Sequence, residues 1–124
     1  QAAILAQLVD HVYTIEIVKP LAKSSKQLLQ ELGYDNVTVK WGDGYQGWPE
    51  HAPFDAIILT AAPPETPPAL IAQLKPGGKM ILPEGEYYQQ LKLITKRADG
   101  SIKVENKGAV RFVPMVEPKD TLDR

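Results

Sequence analysis

The run Phe54-Asp55-Ala56-Ile57-Ile58-Leu59-Thr60 constrains this chain more than any other stretch. A near-continuous Ala-Ile-Ile-Leu segment fits a parallel strand covered on both faces, whereas a strand with one wet face alternates apolar and polar residues. It predicts a parallel sheet with helices on both sides and places this run at the sheet centre. The composition supports a domain of that kind. With 124 residues, 44% of them hydrophobic and 23% charged, the chain fits one globular domain with an ordinary core and is unlike a disordered tail. The 14 Lys and Arg against 15 Asp and Glu leave a formal charge of -1, so there is no broad basic field for nucleic acid or a membrane surface. No apolar run reaches the roughly 18 to 20 residues that span a bilayer, and no charged start precedes an apolar stretch as in a signal peptide. Zero cysteines exclude a disulfide framework, a thiolate nucleophile and a zinc-thiolate site, and suit a reducing cytoplasm. His11 and His51 are too few for a histidine metal cluster, so no metal is expected.

The chain opens on Gln1 to Val9, which reads as the inside of a helix. Ile4, Leu5 and Leu8 share a face, no capping residue precedes them and there is no initiator Met, so the expectation is a piece of a longer protein. His11 to Val18 is β-branched and aromatic, of strand length. Pro20 can open a helix with an apolar stripe of Leu21, Leu28, Leu29 and Leu32, closed by Gly33. Asp35-Asn36 turns the chain into a strand over Val37 to Trp41, followed by the glycine-rich loop Gly42 to Pro49. After the central strand, Thr66 is a plausible cap for a short helix through Ala69, Leu70, Ile71 and Leu74, begun by Pro67 or Pro68 and ended by Pro76-Gly77-Gly78. Lys79 to Pro83 is a further strand. From Gln89 the pattern becomes a hairpin around Ala98-Asp99-Gly100-Ser101, then the run Val110 to Val116. The order predicts one α/β domain over 1–124, a doubly wound sheet whose region 89–116 forms an antiparallel hairpin and edge.

Ligands of open parallel sheets bind outside the carboxyl ends of the strands, which singles out four places. Glu16 ends the first strand, where a carboxylate can accept both hydroxyl hydrogen bonds of a ribose; a solvated glutamate near a helix start reads equally well. Asp43, with Gly44 after it, can accept from an exocyclic amine while the glycines admit a flat ring, although alone it is more often an Asp-Gly turn. Together the two acids suggest an adenosine pocket, a feature shared by nucleoside cofactors and dinucleotides. The third place is Thr60-Ala61-Ala62-Pro63-Pro64-Glu65. An enzyme that methylates an amine typically needs a polar acceptor beside such prolines and an aromatic after them, yet here stand Ala62 and Glu65. Small alanines leave room for a substrate carboxylate; a rigid connection is the ordinary reading. The fourth is Ala109 to Val116, where Arg111 can attract an acidic group and an extended edge ending at Pro114 can pair with a peptide. The ordinary reading there is a terminal strand packing Phe112 and Val113 on opposite faces. Neither histidine has a serine or cysteine partner at a triad spacing.

Taken in order, Gly42-Asp43-Gly44-Tyr45-Gln46-Gly47-Trp48, Phe54 to Glu65, Leu74-Lys75-Pro76-Gly77-Gly78, Leu82-Pro83 and Val110-Arg111-Phe112-Val113-Pro114 resemble the bacterial protein-L-isoaspartate O-methyltransferases over essentially the whole chain. The resemblance implies a Rossmann-like, mostly parallel sheet of the S-adenosylmethionine-dependent type. It implies a cytoplasmic repair enzyme that methylates the α-carboxylate of L-isoaspartyl residues in damaged proteins and leaves S-adenosylhomocysteine. On that likeness Glu16, Asp43, Gly44, Thr60 and Ala61 would hold the cofactor, and Ala62, Pro63, Arg111, Val113 and Pro114 the substrate peptide, with the catalytic residues left unassigned.

Two departures accompany the likeness. Glu84 stands where the family commonly has a small apolar residue, and an acid there would repel an anionic substrate unless it points outward. The family's first strand and glycine loop precede the point where this chain begins. Without them, the strands ending at Glu16 and Thr60 are expected to pair directly or to recruit a strand from a second copy. An inactive, self-associating fragment and a nicotinamide-binding Rossmann domain are the rival readings.

Overall fold

The structure, a computed structural model, describes residues 7, 9, 11–16 and 19–115. Of the helix expected over Gln1 to Val9 only Gln7 and Val9 are among the described residues; the rest of it, the end of the first strand at Ile17 and Val18, and Val116 lie outside them. The chain divides between Gly44 and Tyr45 into two compact units.

The first unit contains β1 (Val12–Glu16), α1 (Lys19–Glu31) and β2 (Val37–Trp41). The strands are parallel, from Val12 opposite Val37 to Glu16 opposite Trp41. Helix α1 ends as expected. Gly33 adopts φ +83°, its N–H donates to the Gln30 carbonyl at 3.1 Å, and the Tyr34 N–H reaches back to Leu29 at 3.0 Å. This pair of bonds is the Schellman termination, which favours glycine because a Cβ is strained there. The apolar stripe needs correction. Ala22 and Leu29 are buried, while Leu21, Leu28 and Leu32 are exposed. A two-stranded sheet is narrow enough to cover one stripe of a helix, and it takes the stripe running through the small Ala22.

The second unit contains β3 (Phe54–Ile58), α2 (Pro68–Ala72), β4 (Leu74–Glu84), β5 (Gln89–Lys96) and β6 (Ile102–Val110), in the sheet order β3-β4-β5-β6. β3 and β4 are parallel; β4, β5 and β6 are antiparallel. Leu70, Leu74, Met80, Leu82 and Ile94 form the core, with Ile57, Leu59 and Ile71 packed against it. The hairpin appears where expected. The Arg97 N–H donates to the Ser101 carbonyl at 2.8 Å, and the Asp99 carboxylate accepts the Ser101 N–H at 2.9 Å and its hydroxyl at 2.6 Å.

Four expectations for this unit change. β3 is terminal in its sheet rather than central, and it is covered on one face: Ile57 and Leu59 pack on the core, while Ile58, on the opposite face, is exposed. Of the two alternatives for the strands ending at Glu16 and Thr60, direct pairing is not found among the described residues, where β1 and β3 belong to different sheets. Pro76-Gly77-Gly78 does not end a helix. The register passes from Phe54 opposite Leu74 to Ala56 opposite Lys79, so these residues bulge out of β4, with Gly77 at φ +85° supplying the bend. Phe112 and Val113, expected on opposite packed faces, are both exposed, because β6 stops at Val110 and Arg111 to Val113 continue outside a regular strand.

Candidate functional site

The parallel register of the first unit positions its two acids. Glu16 is the last residue of β1, opposite Trp41, and the Gly42 N–H donates to the Glu16 carbonyl at 3.0 Å. That bond carries the pairing one residue beyond β2, so Glu16 and Asp43 leave the carboxyl ends of adjacent strands. Both are half-buried, and both have interactions of their own. Gly44 begins a short 3-10 turn, Gly44–Gln46. A surface groove of about 400 Å³ in this unit is lined by Ala22, Lys23, Lys26, Val39 and Trp41, with neither acid in its wall. The acids thus sit at the strand ends beside Trp41 of that groove and do not line it. Their chemistry is that of two acceptors, which suits the hydroxyls of a ribose and the exocyclic amine of a base.

In the second unit the segment after β3 is tied into its surroundings. The Leu59 N–H continues the pairing by donating to the Ile81 carbonyl at 3.0 Å. Thr60 is exposed and Ala61 half-buried, while Ala62 and Pro63 are buried. Ala62 forms a parallel bridge with Pro114: its N–H donates to the Val113 carbonyl at 2.7 Å, and its own carbonyl accepts the Met115 N–H at 2.8 Å. Both backbone groups of Ala62 are thus used within the chain, and the bridge brings together Ala62 and Pro114, two of the residues expected to contact substrate. Arg111, Val113 and Pro114 are exposed beside it. Glu84 does not project freely outward: its carboxylate accepts the Thr66 N–H at 2.9 Å and also the Thr66 hydroxyl. Thr66 consequently does not cap α2, whose capping residue is Pro67 without a side-chain bond.

Sequence reasoning missed the side chains that hold these segments in place. Gln73 is buried; its amide donates to the Gln46 carbonyl at 2.8 Å and accepts the Trp48 N–H at 2.9 Å. Gln89 is buried as well. It donates to the Phe112 carbonyl at 3.0 Å and accepts the Phe112 N–H at 2.6 Å. The Tyr45 hydroxyl donates to the Met115 carbonyl at 2.8 Å. A side-chain amide supplies one donor and one acceptor at the spacing of a peptide group, so it can stand in for a strand where a loop has none. The available signal was a lone amide within an apolar run, as in Leu70-Ile71-Ala72-Gln73-Leu74.

Comparison with known proteins gives a consistent result. Residues 1–120 match the family described as Protein-L-isoaspartate(D-aspartate) O-methyltransferase. Among curated relatives, the chain is 53% identical over 117 residues to Protein-L-isoaspartate O-methyltransferase 2 of a Polaromonas species, covering 93% of this chain and 56% of that protein. It is also 53% identical over 117 residues to Protein-L-isoaspartate O-methyltransferase 1 of Nitrosospira multiformis, covering 50% of that protein. Among solved structures, a protein-L-isoaspartate O-methyltransferase superposes with TM-score 0.81 at 31% identity, over 87% of this chain and 35% of the other. A putative enzyme of the same name from Plasmodium falciparum, in complex with S-adenosyl-L-homocysteine, superposes with TM-score 0.73 at 31% identity, over 86% of this chain and 52% of that one. The chain spans about half the length of the curated relatives it matches.

Proposed function

Because this chain belongs to the protein-L-isoaspartate(D-aspartate) O-methyltransferase family and has its Rossmann-like α/β fold, we propose that it is part of an enzyme that transfers a methyl group from S-adenosylmethionine to the α-carboxylate of L-isoaspartyl residues in proteins. The carrying observation is the 3.0 Å bond from the Gly42 N–H to the Glu16 carbonyl, which sets Glu16 and Asp43 at adjacent strand ends. The setting that goes with this reading is the cytoplasm, and the partners are damaged, isoaspartyl-containing proteins.

The residues fit the nucleoside part of such a cofactor, since two carboxylates can accept from ribose hydroxyls and an adenine amine, with Gly44 leaving the ring room to approach. When bound, the cofactor supplies an electrophilic methyl group on a sulfonium. In this reading Thr60 and Ala61 complete the cofactor side. Ala62 and Pro63 back the acceptor loop, and Arg111 attracts the anionic peptide that Val113 and Pro114 help to hold. The accepting carboxylate is already ionised at neutral pH, so the chain needs no strong general base and contributes alignment and exclusion of water.

Calorimetry with S-adenosylhomocysteine tests the proposal. The expected result is measurable binding, weakened about tenfold by Glu16→Gln or Asp43→Asn as one charged hydrogen-bonding acceptor is lost. Absence of binding overturns activity for this chain and favours the inactive-fragment reading; equal affinity in the variants overturns the assignment of the acids. Among the described residues no further strand pairs with β1 beyond β2 or with β3 beyond β4, and in this reading those edges recruit a strand from a second copy. Sedimentation should then show a concentration-dependent dimer, and a monodisperse monomer would count against strand exchange.

A further inference from the structure

The connection from β3 to α2 contains Pro63 and Pro64 at one end and Pro67 and Pro68 at the other. Proline fixes φ, so the freedom left between these pairs belongs to Glu65 and Thr66. The connection is anchored at three points. Ala62 bridges to the 113–115 segment, the Pro63 carbonyl accepts the Gly85 N–H at 2.9 Å, and Thr66 gives both its N–H and its hydroxyl to the same Glu84 carboxylate oxygen, Oε2. The first two anchors join backbone to backbone. The third exists because residue 84 carries a side-chain oxygen that can accept both donors.

We propose that Glu84 is a positioning residue, acting through Thr66 to hold the Ala61 to Thr66 loop in one shape for the substrate carboxylate. The inference rests on the functional reading above. A carboxylate that receives two donors is a stronger and more directional anchor than an apolar contact. The same donors partly compensate its charge, which reduces the repulsion that an acid beside an anionic substrate would otherwise exert.

The test combines amide hydrogen exchange with calorimetric binding of an isoaspartyl peptide, using the whole chain. Glu84→Ala should speed exchange at the Thr66 amide about tenfold, the order expected for losing a charged hydrogen bond, with Met80 and Leu82 in β4 unchanged. Glu84→Gln, whose amide oxygen can accept both donors, should restore most of the protection. Thr66→Val, which keeps the N–H and loses the hydroxyl, should fall between them in exchange, and peptide affinity should follow the same order. If Glu84→Ala fails to fold, the Gln and Val variants still give that ranking. Unchanged Thr66 exchange in Glu84→Ala, or no rescue by Gln, overturns the anchor. Faster exchange with unchanged peptide affinity overturns the positioning role. A wild-type chain that does not bind the peptide overturns that role together with the functional reading, and the exchange data distinguish this from failure of the anchor.

Discussion

The first unit sets Glu16 and Asp43 on two strands and one helix, where Ala22 and Leu29 are the buried apolar residues among those described. The second closes Leu74, Met80, Leu82 and Ile94 off from solvent and fastens its loops with buried amides. The difference separates two ways of presenting a recognition group. An acid at a strand end is placed by the backbone register, so two paired strands suffice to aim it. A loop such as Ala61 to Thr66 has no register, so its shape must come from packing beneath it and hydrogen bonds around it. Changes at the strand ends of the first unit should therefore register mainly in cofactor binding, and changes in the core and buried amides of the second mainly in stability.

Chemical denaturation puts the largest expected effect on this contrast. Leu82 has no solvent exposure and Leu28 is 55% exposed. Leu82→Ala should cost about 3 kcal/mol through lost transfer energy and the cavity left behind, whereas Leu28→Ala should change stability by no more than about 0.5 kcal/mol. Comparable costs at the two sites would remove the distinction between a packed unit and a thin one.

Gln89→Leu sharpens the same contrast at the level of hydrogen bonds. The substitution keeps an apolar body near the same volume but strips the Phe112 N–H and carbonyl of their partner. About 2 kcal/mol of destabilisation is expected from the two unmet backbone groups. The loss should be accompanied by faster amide exchange at Phe112. A neutral substitution would mean that water replaces the side chain without cost and that the 111–115 segment is not held by Gln89.

What could be read in advance was local. Val37–Trp41 is a strand to the residue, and Gly33 closes its helix, because β-branched alternation and a left-handed cap are decided within a few residues. Glu16 and Asp43 were legible as candidates because strand ends are where parallel sheets bind ligands. The hidden features depend on partners far along the chain. Thr66 looked like a cap until Glu84, 18 residues away, proved to take both its donors. Pro76-Gly77-Gly78 has the composition of a helix end, and only the register against β3 shows it as a bulge. Leu21, Leu28 and Leu32 fit the helical period as well as Leu29 does, and periodicity alone does not say how wide the covering sheet is.

The smallest expected effect belongs to the β5–β6 turn, at the surface of the well-packed unit. The hydroxyl and then the backbone N–H of Ser101 hold the Asp99 carboxyl below its ordinary range by hydrogen-bonding the ionised form. With the folded value lowered, the turn gains stability that is fully present above the unfolded value and disappears as pH falls through the folded one. Asp99 is fully exposed, so acidification should loosen the turn locally while the core of Met80, Leu82 and Ile94 stays intact. Carboxyl NMR titration should place the Asp99 midpoint below that of an unstructured aspartate, and Ser101→Ala should bring it back up. An ordinary midpoint in the unmodified chain would show that these turn bonds do not persist in water. Cooperative loss of the whole second unit at the Asp99 midpoint would show instead that its surface and core do not respond separately to pH.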